Sequence, residues 1–210
     1  MAIEALLWDM DGTLLDTTVV VPAAFVRTVR ALGGRSIDEA EVVGAYWRGT
    51  PEVILEHLVG RRLASDETDV YYRELESAEP GLYPGVREVF DVLRSQGRVR
   101  AVFTGASTRA AAMLLKSAGL EADLVIGGDQ VHRPKPAPDG ILFAAGELGT
   151  DTTQLAYVGD SPLDIRAARA AGSHSAAAGW GHMYDGTEPA DSVLAVPQQA
   201  LDLLAMRALS

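Results

Sequence analysis

The sequence contains no cysteine. Disulfide bonds, thiolate metal ligands and cysteine nucleophiles are therefore excluded. Basic residues are few as well: the chain has 18 lysines and arginines against 29 acidic residues, and its formal net charge is -11. We do not expect a nucleic acid partner, because phosphate backbones require a basic surface. An anionic substrate would have to meet local positive charge, from a metal ion, a lysine or helix N-termini.

Long apolar runs are also missing. No stretch reaches the roughly 20 residues that a helix needs to span a bilayer, so no membrane association is expected. Asp9 and Asp11 interrupt the apolar segment near the N-terminus, which argues against a signal peptide and makes a cytoplasmic location the default expectation. The 210 residues, 48% of them hydrophobic, suffice for one core domain and a smaller appended unit. We expect a monomer or a homodimer.

The first apolar run ends in two carboxylates. Residues 3–8 are typical of a buried strand, and Asp9 and Asp11 leave it on the same side, because side chains alternate along a strand. Two carboxylates this close repel each other unless a cation or a proton lies between them. We therefore predict a Mg2+ site, since this ion prefers oxygen ligands and often also binds a phosphate. The alternative is a strand-end turn or a helix cap, the common role of an Asp-Gly pair.

Helical patterns fill the next part of the chain, and no long buried strand is predicted between residues 16 and 82. The pattern predicts helices over 23–32, 38–49, 51–62 and from Ser65 or Asp66 to about 79. Strands and helices alternate from residue 83 onward. The predicted strands are 99–104, 124–126, 155–158, 173–178 and 191–194, and the predicted helices are 86–97, 107–118, 138–148, 162–171 and 197–209.

This alternation is typical of an α/β fold, a Rossmann-like parallel sheet with helices on both faces. The sequence therefore predicts a core domain of residues 1–15 and 83–210. Residues 16–82, which we call the helical insert, are predicted to form a small α-helical cap domain. In such sheets ligands bind beyond the carboxyl ends of the strands.

Two of the later strand ends carry groups that suit an anion. Thr104 ends the strand predicted over 99–104 and Gly105 follows it, so a hydroxyl and free amides precede a helix. The alternative is that Ser107, as a helix cap, explains the local polarity. Lys135 stands between two prolines that restrict its backbone, and a fixed ammonium could neutralise a phosphoryl oxygen. A solvated loop lysine is the alternative.

A third carboxylate follows the strand predicted over 155–158. Ser161, Pro162 and Asp164 fit an N-cap, a first helical position and a third position, so capping accounts for them. Capping leaves Asp160 without a structural role. Asp160 is therefore a candidate metal ligand together with the first two carboxylates.

These residues resemble the four motifs of the haloacid dehalogenase superfamily of phosphatases. The resemblance covers nearly the whole chain and includes the helical insert, which is placed as the cap of phosphoglycolate phosphatase-like and beta-phosphoglucomutase-like members. The matching segments are Asp9-Met10-Asp11-Gly12-Thr13, Thr104, Lys135 and Gly159-Asp160-Ser161-Pro162-Leu163-Asp164.

The resemblance implies a covalent mechanism. Asp9 would be the nucleophile that forms an aspartyl-phosphate. Asp11 would protonate the leaving alkoxide and then take a proton from the hydrolytic water. Mg2+ would be held by the Asp9 side chain, the Asp11 backbone carbonyl and Asp160, with Asp164 in support.

The resemblance also assigns the residues that bind the phosphoryl group, and it argues against two other reactions known in the superfamily. Thr104, the Gly105 amide and Lys135 would bind the transferring phosphoryl oxygens. Many relatives carry asparagine where this chain has Gly105, so a changed substrate preference is possible. The second aspartate, Asp11, argues against halide displacement. Residues 16–82 contain no lysine, which excludes the Schiff-base chemistry of phosphonate-cleaving relatives.

The sequence thus predicts a Mg2+-dependent phosphatase of a small phosphorylated metabolite, either phosphoglycolate-like or a sugar phosphate. A beta-phosphoglucomutase-like phosphotransferase and a non-catalytic phosphoacceptor or binding module are the alternatives. Arg48 is a candidate substrate-binding residue in the insert; alternatively it is an exposed turn residue beside a core Trp47. His182 is either a substrate contact or, as most such residues are, a surface histidine.

Overall fold

A sheet of parallel strands carries the predicted polar strand ends in a computed structural model that describes residues 2–205. In chain order the strands are β1 (Ala5–Trp8), β2 (Leu15–Asp16), β3 (Gly81–Leu82), β4 (Ala101–Phe103), β5 (Leu124–Ile126), β6 (Leu155–Gly159), β7 (His174–Ala178) and β8 (Ser192–Leu194). The helices are α1 (Val20–Ala31), α2 (Glu39–Val43), α3 (Pro51–Val59), α4 (Ser65–Glu76), α5 (Val86–Ser95), α6 (Thr108–Ser117), α7 (Asp139–Leu148), α8 (Pro162–Ala171) and α9 (Gln199–Ala205).

Strand β1 lies inside the sheet, whose order is β5-β4-β1-β6-β7-β8, and all neighbouring pairs are parallel. Leu7 of β1 pairs with Ala101 of β4 on one side and with Tyr157 of β6 on the other. The chain builds the sheet outward from β1 in one direction and then, starting at β6, in the other. Ligands bind beyond the carboxyl ends of strands at such a reversal. The residues that follow β1, β4 and β6 therefore meet at one edge of the sheet.

The two faces of the sheet bury separate apolar clusters. Because side chains alternate along a strand, Leu6 and Trp8 belong to one cluster and Leu7 to the other. Helices α5, α6 and α9 cover the face of Trp8, whereas α7 and α8 cover the face of Leu7. Both faces of the sheet are shielded from solvent, since Leu7 and Trp8 are fully buried. The predicted α/β class, a Rossmann-like parallel sheet with helices on both faces, is confirmed.

The helical insert begins and ends at a short antiparallel ribbon of β2 and β3. Its helices α1 and α4 pack through Phe25 and Tyr71, whose ring centroids are 4.5 Å apart. The Tyr72 hydroxyl shares a hydrogen bond of 2.7 Å with the hydroxyl of Ser107, which joins α4 to the start of α6. The apolar side chains of the insert are continuous with the cluster on the face of Trp8. That the insert is a separate domain, with boundaries at 15/16 and 82/83, stays a prediction.

Several helix ends differ from the sequence pattern: α1, for example, begins at Val20 rather than at residue 23, and α3 ends at Val59 rather than at residue 62. The helix predicted over 38–49 ends at Val43, before Gly44, and a 3-10 turn over 46–48 follows; glycine is a poor helix former. The N-cap of α4 is Ala64 rather than Ser65 or Asp66, because Glu67 accepts a hydrogen bond from the Ala64 amide. Helix α9 is described to residue 205, and residues 206–209 of the predicted helix lie outside the described residues.

Within residues 2–205, no helix combines the length and the hydropathy that crossing a bilayer requires.

Candidate active site

Lys135 lies between two buried carboxylates. Its Nζ donates to Asp9 Oδ1 and to Asp164 Oδ1, both at 2.6 Å, and to the Tyr157 hydroxyl at 3.2 Å. The three charged side chains expose 11% or less of their surface. Burial of such charges costs several kcal/mol each unless they are paired. Lys135 is thus a paired lysine with little exposure, and the solvated-loop alternative is wrong. Its contact with phosphoryl oxygens stays a prediction.

Asp164 has a second partner that capping did not predict. As a capping-box residue it accepts from the amide and the hydroxyl of Ser161, at 3.0 and 2.7 Å, through Oδ2. Its other oxygen, Oδ1, accepts from Lys135. The same carboxylate therefore starts helix α8 and orients the lysine. Within the described residues, hydrogen bonds from protein groups thus occupy both of its oxygens.

Asp160 directly follows β6, and two glycines make room for it. Gly12 has a φ of +78°, and a Cβ at this position would lie 2.3 Å from Asp160 Oδ2. A Cβ on Gly181 would lie 2.3 Å from Asp160 Cβ. The loop after β7 fixes the carboxylate, because the amides of His182 and Met183 donate to Oδ2 at 3.1 and 3.2 Å. Asp160 is thus held against the turn that carries the first two carboxylates.

These contacts show which oxygens remain for a cation. Oxygens of Asp9, Asp160 and Asp164 lie within 4.8 Å of one another, and all three residues are buried. Among the described residues, Asp160 Oδ1 accepts no hydrogen bond, and Asp9 Oδ2 accepts only a long one of 3.5 Å from Thr13. Buried carboxylate oxygens without donors are the ligands that a hard divalent cation prefers. The donor set therefore fits Mg2+, with Asp9 and Asp160 better placed than Asp164 to bind it directly.

Electrostatics at the site follow from this burial. Burial raises the pKa of Asp9 well above its usual range, an effect that Lys135 opposes and that the neighbouring carboxylates reinforce. Burial also raises the pKa of Asp160 to about 6, with Asp164 adding to the shift. Burial opposes the charge of Lys135, but the carboxylates of Asp164 and Asp9 outweigh it and raise its pKa. A cation placed between the carboxylates would relieve their repulsion.

Asp11 lies apart from this cluster and is held by hydroxyls. Thr17 Oγ1 donates to Asp11 Oδ1 at 2.7 Å, and Thr104 Oγ1 donates to Oδ2 at 3.3 Å. Burial raises the pKa of Asp11, and these two hydrogen bonds partly offset the rise. The Thr104 hydroxyl also accepts from the Ala106 amide at 3.1 Å. Thr104 is thus at the site, where it contacts Asp11.

A cavity of about 250 Å³ lies between the sheet edge and the helical insert. All but one of the predicted site residues line it, namely Asp9, Asp11, Thr104, Gly105, Lys135, Asp160 and Asp164. Within the described residues, Gly105 leaves its Cβ direction empty to 4 Å, so nothing fills the place of a side chain there. The strand ends and the insert therefore enclose one space that can hold a small molecule.

Arg48 is the predicted residue that the structure leaves outside this space. Among residues 2–205 the cavity lining includes its neighbours Tyr46 and Gly49 but not Arg48. Its guanidinium lies over the Trp47 ring, 4.6 Å from the centroid. Trp47 is 61% exposed, so the interpretation of this residue as part of the insert's core is wrong.

His182 is exposed and also lines the cavity, and its contact with a substrate stays a prediction. Its side chain is 41% exposed, as expected of a surface histidine, yet it lines the cavity and its Nδ1 lies 3.5 Å from Asp160 Oδ2. Its backbone amide, rather than its ring, fixes Asp160.

Sequence reasoning missed three residues at the site, two that contact its charged side chains and one that lines the cavity. Thr17 binds Asp11, Tyr157 donates to the Phe103 carbonyl at 2.9 Å while accepting from Lys135, and Tyr71 lines the cavity. A tyrosine in the middle of a buried strand signals that its hydroxyl needs a polar partner, so Tyr157 could have been found. Thr17 and Tyr71 gave no such signal, because their positions depend on how the insert folds back.

One expected result concerns stability rather than activity. Because burial raises the pKa of Asp160 to about 6, the folded protein holds this proton more tightly than the unfolded chain. Its contribution therefore stabilises the fold below about pH 4 and is lost as the pH rises through about 6. We expect Asp160→Asn to stabilise the metal-free protein near neutral pH by up to about 3 kcal/mol.

Urea unfolding in the presence of a chelator, compared near neutral pH and near about pH 5, measures this difference. The gain should shrink at the lower pH, where wild-type Asp160 becomes protonated. Asp66→Asn, which neutralises an exposed carboxylate on α4, is the control and should show no such pH-dependent gain. A destabilised Asp160→Asn variant at neutral pH contradicts the account.

Comparison with known proteins agrees with this geometry. The sequence profile described as haloacid dehalogenase-like hydrolase matches residues 3–172. The chain is 34% identical over 201 residues to "Probable phosphatase IndB" of Dickeya dadantii, covering 88% of this chain and 85% of that protein. It is 33% identical over 207 residues to a phosphoglycolate phosphatase of Xanthomonas campestris pv. campestris, covering 93% and 94%.

Among solved structures, CbbY from Rhodobacter sphaeroides in complex with phosphate superposes with a TM-score of 0.76. The two chains are 25% identical, and the alignment covers 91% of this chain and 93% of CbbY. The profile match spans β1 to the end of α8, the part of the fold that carries every predicted catalytic and metal-binding residue. The chain belongs to the haloacid dehalogenase-like hydrolase family, and it is a phosphatase.

Proposed function

We propose that this protein is a Mg2+-dependent phosphomonoester hydrolase that acts on a small phosphorylated metabolite through an aspartyl-phosphate intermediate. The observation that carries the proposal is the arrangement at the end of β1, where Lys135 contacts Asp9 at 2.6 Å beside the buried carboxylates of Asp160 and Asp164. Phosphatase names among the relatives support it.

Asp9 is the proposed nucleophile. The ammonium of Lys135 favours the ionised carboxylate against the effect of burial. A carboxylate oxygen of Asp9 attacks phosphorus, forms the acyl phosphate bond and displaces the alcohol oxygen of the substrate. Lys135 is also placed to neutralise charge on the phosphoryl oxygens, which is the main task of a protein that catalyses phosphoryl transfer.

Asp11 is the proposed acid and base. Its raised pKa suits a carboxyl that gives a proton to the departing alkoxide. Thr17 and Thr104 hold it at the cavity, two positions along the chain from the nucleophile. In the second half-reaction the Asp11 carboxylate takes a proton from water, and the water oxygen attacks phosphorus and releases Asp9.

Mg2+, when bound, supplies charge neutralisation for the phosphoryl oxygens and for the crowded carboxylates. Asp9 and Asp160 would hold it through their free oxygens, together with the Asp11 backbone carbonyl that the family resemblance implies. Asp164 would support the site through Lys135. Phosphoryl binding by Thr104 and Gly105 is part of the same proposal.

Phosphate release from a panel of phosphate monoesters tests the proposal. We expect wild-type protein to release inorganic phosphate with Mg2+, and to lose at least about 100-fold in rate when a chelator removes the ion. Acid quenching during turnover should yield a peptide containing Asp9 with the mass of one added phosphoryl group. The absence of both signals across the panel contradicts the proposal and favours a binding module.

The beta-phosphoglucomutase-like alternative differs in its product. A mutase returns the phosphoryl group to a second hydroxyl and releases almost no free phosphate. Phosphate counted against substrate consumed therefore separates the two reactions. The cytoplasmic location and the monomeric or homodimeric state stay predictions, which cell fractionation and sedimentation would check.

A further inference from the structure

The side of the cavity formed by the helical insert is mainly apolar and carries no charge. The side chains that line it there include those of Val21, Phe25, Val43 and Ile54, and its polar groups are the hydroxyls of threonines and tyrosines. Within residues 2–205, Lys135 is the lysine or arginine that lines the cavity, His182 is the histidine, and both lie outside the insert. A substrate bound with its phosphate at the carboxylates would place its leaving group against the insert.

Both side chains already have acidic neighbours. Lys135 contacts Asp9 and Asp164, and the His182 ring lies beside Asp160. Asp11 lies where the insert meets the core, because Thr17 of the insert donates to it at 2.7 Å and both residues line the cavity. Within the described residues, the lining therefore offers no unpaired cation that could balance a second anion on the leaving group.

The nearby arginines are engaged elsewhere. Arg48 lies over Trp47 and does not line the cavity. Arg109 pairs with Asp69 at 2.5 Å and lies over the Tyr72 ring at 3.8 Å from its centroid. Neither guanidinium is placed to bind a carboxylate or a second phosphate of a substrate in this structure.

Neutral hydrogen-bonding groups are present instead. Tyr71 is only 2% exposed and lines the cavity, and among the described residues its hydroxyl has no hydrogen-bond partner. The Tyr46 hydroxyl, also in the lining, has none either within the described part of the chain. Because both tyrosines line the cavity, their hydroxyls are available to an oxygen or nitrogen of a ligand.

We propose that the leaving group of the substrate is a neutral, mainly apolar alcohol that packs against Phe25, Ile54 and Tyr71, and that a second anionic group on it is rejected. The inference rests on the proposed phosphatase function and gives its substrate class. An unpaired carboxylate brought into this space would lose its hydration without gaining a cation.

A matched pair of esters tests this inference. Benzyl phosphate and para-carboxybenzyl phosphate share the same reacting bond and differ by one anionic group. We expect kcat/KM to be at least about 100-fold higher for benzyl phosphate, because a buried charge without a partner is strongly disfavoured. Phosphoglycolate, whose leaving alcohol also carries a carboxylate, should be hydrolysed as poorly as the para-carboxybenzyl ester.

An added cation should reduce the preference. Val43 lines the cavity and is 43% exposed, so Val43→Arg places a guanidinium at its edge with little effect on packing. We expect this variant to raise kcat/KM for para-carboxybenzyl phosphate by about tenfold or more, since arginine binds carboxylates bidentately. Val53→Arg is the control: Val53 is 48% exposed on α3 and does not line the cavity, so the ratio should stay at the wild-type value.

The outcomes separate the two proposals. If neither ester nor any other phosphate monoester is hydrolysed, the proposed phosphomonoesterase function fails. If wild-type protein hydrolyses the carboxylate esters as well as the neutral one, the function stands and the inference about the leaving group is overturned. An unchanged ratio in Val43→Arg, or an equal gain in Val53→Arg, overturns it as well.

Discussion

Asp9→Asn is expected to lower kcat by about 10⁴-fold or more, the scale of loss when a covalent nucleophile is removed. The amide has no ionised oxygen to attack phosphorus. Its shape is nearly that of the carboxylate, and its carbonyl oxygen still accepts from Lys135, which also keeps its contact with Asp164. The fold should therefore persist. The loss of activity would then reflect the missing nucleophile and not unfolding of the protein.

Single-turnover phosphate release and acid-quench mass spectrometry measure this loss. The phosphorylated peptide that contains Asp9 should disappear together with turnover. Asp66→Asn carries the same chemical change at an exposed position and should retain wild-type kcat. Turnover near the wild-type rate in Asp9→Asn removes Asp9 as the nucleophile and with it the proposed aspartyl-phosphate.

Lys135→Met is expected to produce the largest loss of stability. The thioether fills a similar volume but leaves the carboxylates of Asp9 and Asp164 facing each other without the cation between them. Breaking a buried pair by removing one partner costs about 3–5 kcal/mol, because an uncompensated charge stays buried. We expect this loss in urea unfolding of the metal-free protein, together with a fall in kcat of at least about 10³-fold.

The chain offers a matched control and a rescue. Lys116, its only other lysine, is exposed on α6, and Lys116→Met should change the free energy of unfolding by less than about 0.5 kcal/mol. Adding Asp164→Asn to Lys135→Met removes the repulsion and should restore part of the stability but not the activity. A Lys135→Met protein as stable as wild type would show that the buried charges do not depend on this lysine.

The convergence of the site could be predicted from the sequence because it depends on local order. Asp9 and Asp160 each follow directly on a short buried strand, and Thr104 follows the strand next to β1. Parallel strands joined by helices place their carboxyl ends at one edge, so the position of a residue along its own strand already determines which edge it reaches. Lys135 reaches the same edge from the loop between β5 and α7.

Other properties depended on contacts between distant parts of the chain. The capping pattern explained Asp164 so well that its second partner, Lys135, could not be inferred from residues 161–164. Arg48 looked suited to a substrate anion in the sequence, yet the fold turns it onto Trp47. The predicted helix over 38–49 likewise gave no sign of which of its side chains, Val43 among them, would line the cavity.

The order of residues by itself determined the α/β class and the strand ends at which acidic groups and a lysine would meet, because hydrophobic periodicity and strand-end position are local properties of a chain. Only the tertiary structure decided that Asp160 and Asp9 keep free oxygens while Asp164 does not, and that the insert presents an uncharged face to the site. Those features arise where segments far apart in the chain pack together, and burial and pairing there are set by neighbours that no local pattern specifies.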